Sequence, residues 1–135
     1  MRFPYIKLKG KPSPVIPVQL KTKENTFIEI HAYVDSGAGF SIFHSDVSEI
    51  LGFDLEKGKA IYVTVGDGSQ IPVYMQRILI RLADKEFKAT IGFSRHLGIG
   101  FNVIGRKDIF DRFRICFDDK EKFGEFYPKH RQNKF

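Results

Sequence analysis

The sequence has few of the residues from which disulfides and metal sites are built. Its single cysteine, Cys116, cannot form a disulfide within the chain. The four histidines have no metal-ligand spacing with one another or with that cysteine: His31, His44, His96 and His130. We therefore predict no metal and no cofactor. Because Cys116 lies in the apolar run FRICF and free cysteines are often buried, we expect its thiol to lie in the core.

Long apolar runs are also missing. No stretch approaches the roughly 20 apolar residues of a membrane-spanning helix, so we expect no membrane partner. The first residues, MRFPYIKLKGKPSPVIPV, carry a charge every few positions and do not resemble a signal peptide. We therefore expect a cytoplasmic protein. A length of 135 residues is usual for one domain, here with an extended arm at about 1–14 and a basic tail at about 118–135.

Acidic residues are outnumbered, with 16 Asp and Glu against 22 Lys and Arg and a net charge of +6. A basic balance suggests nucleic acid, but here the basic residues concentrate at the two ends of the chain. No helix-turn-helix, zinc-finger or RNP signature accompanies them, so we do not expect nucleic-acid binding. The sequence also lacks a G-x-S-x-G nucleophile motif and a Gly-Lys-Ser/Thr phosphate loop.

Alternating apolar residues are the main pattern that is present. In NTFIEIHAYV, every second residue is apolar on one face, which predicts a strand: Ile28, Ile30, Ala32 and Val34. The segment AIYVTVGDGSQIPVYMQRILIRL predicts a long hairpin, because Asp-Gly separates two alternating runs. In its second strand the apolar residues shift from positions 71, 73 and 75 to positions 78, 80 and 82. This shift predicts a bulge near Gln76 and Arg77, with the two ends in different environments.

Helices are short in this reading, and strands dominate. SDVSEILG predicts one helix that Ser45 or Asp46 caps and Gly52 ends, with Val47, Ile50 and Leu51 buried. RKDIFDRF predicts a second helix that buries Ile109, Phe110 and Phe113 on one side. RICFD and GEFYP read as final strands. The sequence therefore predicts an all-β fold with one or two short helices.

An aspartate follows the strand predicted in NTFIEIHAYV, within the stretch HAYVDSGAGFSIF. Asp35 is followed by Ser36 and Gly37, and Gly37 permits a sharp turn because it has no side chain. A carboxylate between apolar strands is costly to bury unless it is paired or hydrogen-bonded. An ordinary Asx turn with a half-exposed carboxylate would explain the stretch in isolation. However, a glycine-containing hairpin and the segment NVIGR follow it in order.

Taken together, these features resemble a subunit of the retropepsin-like (retroviral-type) aspartic proteases over residues 15–117. D-S-G-A resembles the catalytic motif of that family, VTVGDGSQIPV its flap, and NVIGRKDIF its Ile-Gly-Arg-helix segment. The resemblance implies a closed acid-protease barrel with a flap hairpin. It also implies an aspartic endopeptidase that hydrolyses extended peptide segments.

The resemblance also implies roles for individual residues. Asp35, with Ser36 and Gly37, would form the catalytic motif, and since the chain has one D-S-G, a homodimer would supply two aspartates. The implied substrate-binding residues lie in the flap and around the aspartate: Val65, Gly66, Asp67, Gly68, Ile71, Ala38 and Ile104. Val34, Ile42 and Val103 are further apolar candidates. Gly105 and Arg106 would support the site.

Two departures from the family pattern stand out. The family has an acidic partner for the arginine just after the active-site turn, whereas this chain has Gly39 there. The tail after Phe117 also extends beyond the usual family end, where a terminal strand helps to hold the dimer together. FGEFYP would either take that role or cover a sheet edge.

Two other functions stay open at this stage. One is a non-catalytic module of the same fold that binds peptides or dimerises. The other is a small basic β-barrel that binds nucleic acid, which leaves D-S-G-A and NVIGR unexplained.

Overall fold

The computed structural model describes residues 1–130, which form twelve strands, one α-helix and one 3-10 helix. The strands are β1 (Arg2–Pro4), β2 (Ile6–Leu8), β3 (Lys11–Ser13), β4 (Val15–Lys21), β5 (Phe27–Val34), β6 (Ser41–His44), β7 (Lys59–Thr64), β8 (Gln70–Leu82), β9 (Lys85–Ser94), β10 (Asn102–Ile104), β11 (Phe113–Asp118) and β12 (Phe123–Pro128). Helix α1 spans Ser45–Leu51, and the 3-10 helix spans Leu55–Lys57. The prediction of an all-β fold is confirmed.

Seven strands form the main sheet in the order β4-β5-β10-β6-β9-β8-β7. The sheet returns on itself because β8 also pairs with β4, through Gln19 with Arg81 and Leu20 with Ile80. Six strands thus complete a ring of pairings, and β7, the first strand of the predicted hairpin, pairs only with β8 at the edge of the sheet. β10 lies between β5 and β6, which brings the segment after residue 104 next to the end of β5.

Two apolar clusters fill the fold. The larger one lies inside the ring and includes the fully buried side chains Phe43, Phe93, Ile80 and Ile104. The smaller one consists of Ile42, Ile71 and Val73, with neighbours from the hairpin and the 97–101 loop packed against it. The predicted change of environment along β8 is therefore confirmed.

The predicted bulge in β8 is wrong. The register of β8 with β9 runs without interruption from Tyr74 opposite Phe93 to Leu82 opposite Lys85. A regular strand has two faces, and in β8 one face packs in a core near the hairpin tip and the other face packs in a core near the base. Near the hairpin tip the odd residues pack in the smaller cluster, and at the base the even residues pack in the larger one.

Helix α1 ends at Gly52, as predicted, with Gly52 in the left-handed conformation at φ 84°. His44, rather than Ser45 or Asp46, occupies the N-cap, and no side chain caps the helix. Val47 and Leu51 are buried, but Ile50 is 55% exposed. The third buried residue of α1 is Ser48 rather than Ile50. The Ser48 hydroxyl donates a hydrogen bond to the Ser45 carbonyl at 2.6 Å.

The second predicted helix is not formed. Residues 106–112 are a series of turns, in which the N–H of Phe110 reaches the Arg106 carbonyl at 2.9 Å and the N–H of Ile109 reaches the same carbonyl at 3.1 Å. Asp108 interrupts the helix because its φ of 64° is left-handed. Ile109 and Phe113 are nevertheless buried, as the apolar pattern predicted.

The two ends of the described chain form a separate three-stranded sheet in the order β1-β12-β11. The predicted arm at 1–14 contains β1 and the small β2–β3 hairpin, and the predicted tail contains β12, while residues 131–135 of that tail lie outside the described residues. The expectation of a buried Cys116 is wrong. Cys116 is exposed because the side chains of β11 that pack inward are Phe113 and Ile115.

Candidate active site

Asp35 lies directly after β5, where the strand gives way to a tight turn. Its backbone N–H donates to the Ile104 carbonyl at 2.9 Å, and its carbonyl accepts a bond from the N–H of Ala38 at 3.2 Å. One carboxylate oxygen, Oδ1, accepts the N–H of Gly37 at 2.8 Å. The side chain remains partly exposed and faces a cavity. The turn therefore fixes the carboxylate while leaving it accessible.

The segment that follows β10 supports this turn from behind. The N–H of Arg106 donates to the Ala38 carbonyl at 2.8 Å, and the N–H of Lys107 donates to the Gly39 carbonyl at 3.0 Å. Gly105 leaves no room for a side chain, because a Cβ there would lie 2.3 Å from the Phe40 carbonyl oxygen. The two loops are thus in backbone contact.

Ser41 was not among the predicted site residues, yet it tethers the same contact. Its side chain is fully buried, and its hydroxyl accepts the N–H of Gly105 at 3.0 Å. This bond satisfies a buried polar group, which a folded protein requires. The signal in the sequence was a serine inside the apolar run GFSIF.

Arg106 has partners that differ from the acidic residue of the family pattern. Its guanidinium donates to the Ser36 carbonyl at 3.3 Å and lies 5.4 Å from the ring centre of Phe110. Since residues 106–112 form turns, Arg106 does not face the positive end of a helix dipole. Glycine at position 39 is therefore compatible with an arginine that contacts the Asp35 turn through the Ser36 carbonyl.

Asp108 joins the turn segment to the main sheet. Its Oδ2 accepts the N–H of Thr90 and an Arg77 N–H, each at 2.8 Å. Partial burial acts to raise the pKa of the Asp108 carboxyl, but the hydrogen bonds from Thr90 and the charges of Lys107 and Arg77 outweigh it and lower that pKa. A charged Asp108 thus fixes the loop that carries Arg106.

The predicted flap is a regular hairpin of β7 and β8 with an exposed tip. The N–H of Gly68 donates to the Val65 carbonyl at 2.9 Å, and Gly68 has a left-handed φ of 85°. Asp67 Oδ1 accepts hydrogen bonds from both the N–H and the hydroxyl of Ser69. These bonds lower the pKa of Asp67, and the bond from the hydroxyl has the larger effect. The tip is therefore shaped by its own turn contacts.

A cavity of about 860 Å³ lies between the Asp35 turn, the hairpin and the loop at 97–101. Of the predicted residues, those that line it are Asp35, Gly37, Ala38, Ile42, Val65, Gly66, Asp67 and Val103. Ser36 is exposed beside it, and Gly68 lies at the hairpin tip. Ile71 packs in the smaller cluster, while Val34 and Ile104 lie in the main core. The structure thus brings the aspartate and the hairpin to one cavity.

Sequence reasoning missed several apolar residues that also line the cavity: Tyr33, Phe40, Leu97, Ile99 and Phe101. Among them, the rings of Tyr33 and Phe101 pack against each other, with 5.3 Å between their centres. The available signal was the glycine-rich run HLGIGF, in which apolar residues alternate with glycine and Ile99 is 40% exposed. An exposed apolar wall beside a carboxylate suits a peptide substrate.

Two further features concern residues 1–130. Within this range, no cluster of three His, Cys, Asp or Glu could hold a metal ion. The single α-helix of the same residues is too short and too polar to cross a membrane.

A D-S-G turn beside a glycine-containing hairpin, supported by a glycine-arginine loop, is the arrangement of the retropepsin class of aspartic proteases. A retropepsin-like aspartic protease from Rickettsia conorii has the same fold, with a TM-score of 0.66 and 18% identity, over 92% of this chain and 97% of that one. The EIAV protease, in complex with the inhibitor HBY-793, gives a TM-score of 0.55 and 17% identity over 78% of this chain and 93% of that one.

The chain belongs to the A3 peptidase family, described as the Cauliflower mosaic virus peptidase, whose model matches residues 12–130. No curated protein matches it. The resemblance found in the sequence is confirmed, and the protein is an aspartic-type endopeptidase. Retropepsin-like proteases act on peptide substrates as dimers.

Proposed function

We propose that Asp35 is the catalytic carboxylate and that two copies of this chain each contribute one to a shared site. The observation that carries the proposal is the position of Asp35, which directly follows β5 and lines the cavity beneath the hairpin. Its backbone is fixed by Ile104 and its Oδ1 by Gly37. A fixed carboxylate at an open cavity is suited to proton transfer, because catalysis needs a group held within reach of the reacting atoms.

Two carboxylates at one site give the acid and the base that peptide hydrolysis needs. Like charges a few ångströms apart cannot both ionise, so the pair holds one proton. The ionised carboxylate removes a proton from a bound water as the water oxygen attacks the scissile carbonyl carbon. The protonated carboxyl gives its proton to the carbonyl oxygen, which forms a tetrahedral gem-diol. The carboxyl that took the water proton then gives it to the amide nitrogen as the C–N bond breaks, and the other carboxylate recovers a proton from a hydroxyl of the diol, so that the amine and the carboxylic acid leave and the dyad again holds one proton.

The remaining predicted residues have supporting roles in this proposal. Ser36 and Gly37 complete the turn, with the Ser36 hydroxyl available for a bond across the twofold axis. Val65, Gly66, Asp67 and Gly68 would close over an extended substrate, and the backbone of the hairpin would bond to the substrate backbone as an added strand does. Ala38 lines the cavity directly. Ile71 and Ile104 would support these walls from the apolar clusters behind them.

The cytoplasm is the compartment that we propose. Cys116 is exposed and is the one cysteine of the chain. Structural disulfides form in oxidising compartments, and a protein without a structural disulfide does not need an oxidising compartment. Fractionation of cells that express the protein would test this, and recovery in a secreted or membrane fraction would contradict it.

The experiment that tests the catalytic proposal is cleavage of an unstructured polypeptide by the purified protein, with and without pepstatin. The matched variants are Asp35→Asn and Asp46→Asn, since Asp46 is exposed in the first turn of α1, outside the cavity. We expect pepstatin and Asp35→Asn to abolish cleavage, and Asp46→Asn to retain it. Equal cleavage by Asp35→Asn would overturn the assignment, and binding of the polypeptide without cleavage by the wild type would favour a non-catalytic module.

A further inference from the structure

We propose that the β2–β3 hairpin binds an acidic segment of the substrate, outside the cavity in which cleavage takes place. The hairpin spans residues 6–13 and carries Lys7, Lys9 and Lys11. The substrate would then be a polypeptide in which acidic residues flank the bond that is cleaved. This inference rests on the proposed function, because it assigns a substrate to the same catalytic site.

The positive charge of the hairpin is not neutralised by the chain itself. Lys7, Lys9 and Lys11 are exposed, and the first acidic residue of the sequence is Glu24. Within residues 1–130, none of the three lysines forms an ion pair, since every ion pair in that range uses an arginine. Unpaired like charges on one small element create a positive potential that attracts an anionic ligand.

The core does not account for the presence of this hairpin. Among the described strands, β2 pairs only with β3, and no side chain of residues 6–13 belongs to either apolar cluster. Ile6 is 41% exposed. The A3 family model begins at residue 12, so β2 and the turn lie outside the segment that it matches. The hairpin is therefore an element whose exposed side chains are available for binding.

A lysine occupies the tip of the hairpin although its backbone favours other residues. Lys9 has a φ of 50° and Gly10 a φ of 80°. Positive φ at both central residues is the requirement of a type I′ turn, for which Asn-Gly and Gly-Gly are preferred. The sequence thus has a cationic side chain at a position that asparagine or glycine would fit with less strain.

The tip of the hairpin lies against the wall of the cavity. A Cβ built on Gly100 would be 3.6 Å from Cε and 3.8 Å from Nζ of Lys9. Gly100 lies between Ile99 and Phe101, both of which line the cavity. A polypeptide that leaves the cavity past this loop therefore comes within reach of the Lys9 ammonium.

The cavity and the hairpin have opposite charges. The charged residues that line the cavity are Asp35 and Asp67, and no lysine, arginine or histidine of residues 1–130 lines it. Acidic side chains are thus repelled inside the cavity and attracted beside it. A twofold axis at Asp35 would place one hairpin on each side of the site, so an acidic segment on either side of the cleaved bond would be bound.

Three peptides with one cleavage sequence test the proposal. The sequence is first identified in the unstructured polypeptide, and each peptide then ends in four glutamates, four glutamines or four lysines. An extended chain advances about 3.3 Å per residue, so such a tail reaches about 13 Å beyond the cleavage sequence.

We expect kcat/KM to be about five-fold higher for the glutamate peptide than for the glutamine peptide, as a few exposed ion pairs allow. The difference should lie in KM, because contacts remote from the reacting atoms stabilise the bound substrate and the transition state equally. It should be present at about 50 mM salt and vanish near 1 M, where the Debye length falls to about 3 Å.

Two triple variants with the same net charge locate the effect. The combined Lys7→Gln, Lys9→Gln and Lys11→Gln variant should lose the preference for glutamate and keep the wild-type kcat/KM for the glutamine peptide. The control carries three other exposed lysines replaced by glutamine, at the ends of β4 and β9 that are remote from the hairpin and the 97–101 loop: Lys23, Lys85 and Lys88. The control should keep the preference.

Three results would overturn the proposal. One is an equal kcat/KM for the glutamate and glutamine peptides in the wild type. Another is an equal loss of preference in the two triple variants, since net charge rather than the hairpin would then be responsible. The third is a single-stranded oligonucleotide that binds through the three hairpin lysines more tightly than the glutamate peptide, because the partner would then be a nucleic acid.

The outcome is separable from that of the catalytic proposal. Fluorescence anisotropy measures binding of the labelled peptides without cleavage, and the same tails on an apolar peptide serve if no cleavage sequence is found. Tighter binding of the glutamate peptide that the hairpin variant loses, without cleavage by any form, would overturn the catalytic proposal and support the hairpin site. Cleavage that depends on Asp35 but not on the tail would do the reverse.

Discussion

The backbone N–H of Asp35 donates to the carbonyl of Ile104, with 2.9 Å between nitrogen and oxygen. This bond continues the pairing of β5 with β10 by one residue beyond Val34 opposite Ile104. It joins Asp35, the first residue of its turn, to Ile104, the last residue before the glycine-arginine segment. Two stretches that are far apart in the sequence therefore form one rigid support.

Replacement of Gly105 tests this support. Gly105→Ala should lower the free energy of unfolding by about 3 kcal/mol, because its Cβ would meet backbone atoms that cannot rotate away, and overpacking in a core costs about 1–3 kcal/mol or more. Urea denaturation measures the loss. Gly124→Ala is the control, since the atom nearest to its Cβ is the Cys116 carbonyl oxygen at 3.8 Å. Equal stability of the two variants would show that the loops can separate without cost.

The hairpin tip can be tested at one position with two side chains. Gly68 has a φ of 85°, which asparagine tolerates far better than a β-branched residue does. Gly68→Val should disorder the tip at a cost of roughly 1–2 kcal/mol. We expect kcat/KM to fall about five-fold or more for this variant, whereas Gly68→Asn retains most of its activity. Because of that cost, Gly68→Val should also unfold a few degrees below Gly68→Asn. Equal activity in the two variants would mean that tip conformation does not matter.

The charge of Asp108 predicts a pH dependence of stability. Its pKa in the folded protein is lowered below the usual 3.8, so its charge stabilises the fold above that pH, and the contribution is lost as the pH falls through the folded pKa. Asp108→Asn should therefore destabilise the protein at pH 7, and its difference in stability from the wild type should shrink as the pH falls below 3.8. Asparagine also tolerates the left-handed φ of this position.

The control for Asp108 is Asp84→Asn. Asp84 is exposed and has a similar φ of 63°, so the same replacement leaves the backbone preference matched. Urea midpoints for both variants, measured at each pH, give the comparison. A difference between Asp108→Asn and wild type that does not change with pH would contradict a role for the charge.

Mixing of subunits tests the proposed two-chain site. Asp35→Asn protein added in excess to the wild type should inhibit cleavage, because heterodimers contain a single ionisable carboxylate at the dyad. The rate, measured at saturating substrate after equilibration, should fall as the wild-type homodimer is depleted. Asp46→Asn added in the same amount should not inhibit. Activity that is independent of the added Asp35→Asn protein would indicate that one chain suffices.

The sequence predicted the elements whose pattern is local. Alternation identified β5 and the β7–β8 hairpin, and the glycine after SDVSEIL marked the end of α1, because side-chain period and glycine conformation are properties of neighbouring residues. The prediction failed at Asp108 and in β8 for a different reason. After Arg106, Asp108 has a left-handed backbone and its carboxylate bonds to Thr90, so no helix forms. In β8, the apolar residues change from odd to even positions because the two ends of the strand pack in two separate clusters.

The candidate site divides in the same way. The motif D-S-G-A, the flap and NVIGR, read in order, determined the family and the identity of the proposed carboxylate. Only the tertiary structure decided that Ser41 holds Gly105, that Arg106 bonds to the Ser36 carbonyl, and that Tyr33, Leu97 and Phe101 line the cavity. It also decided that β1 pairs with β12. Such contacts join residues distant in sequence, and which partners meet depends on strand order and register, which no local pattern specifies.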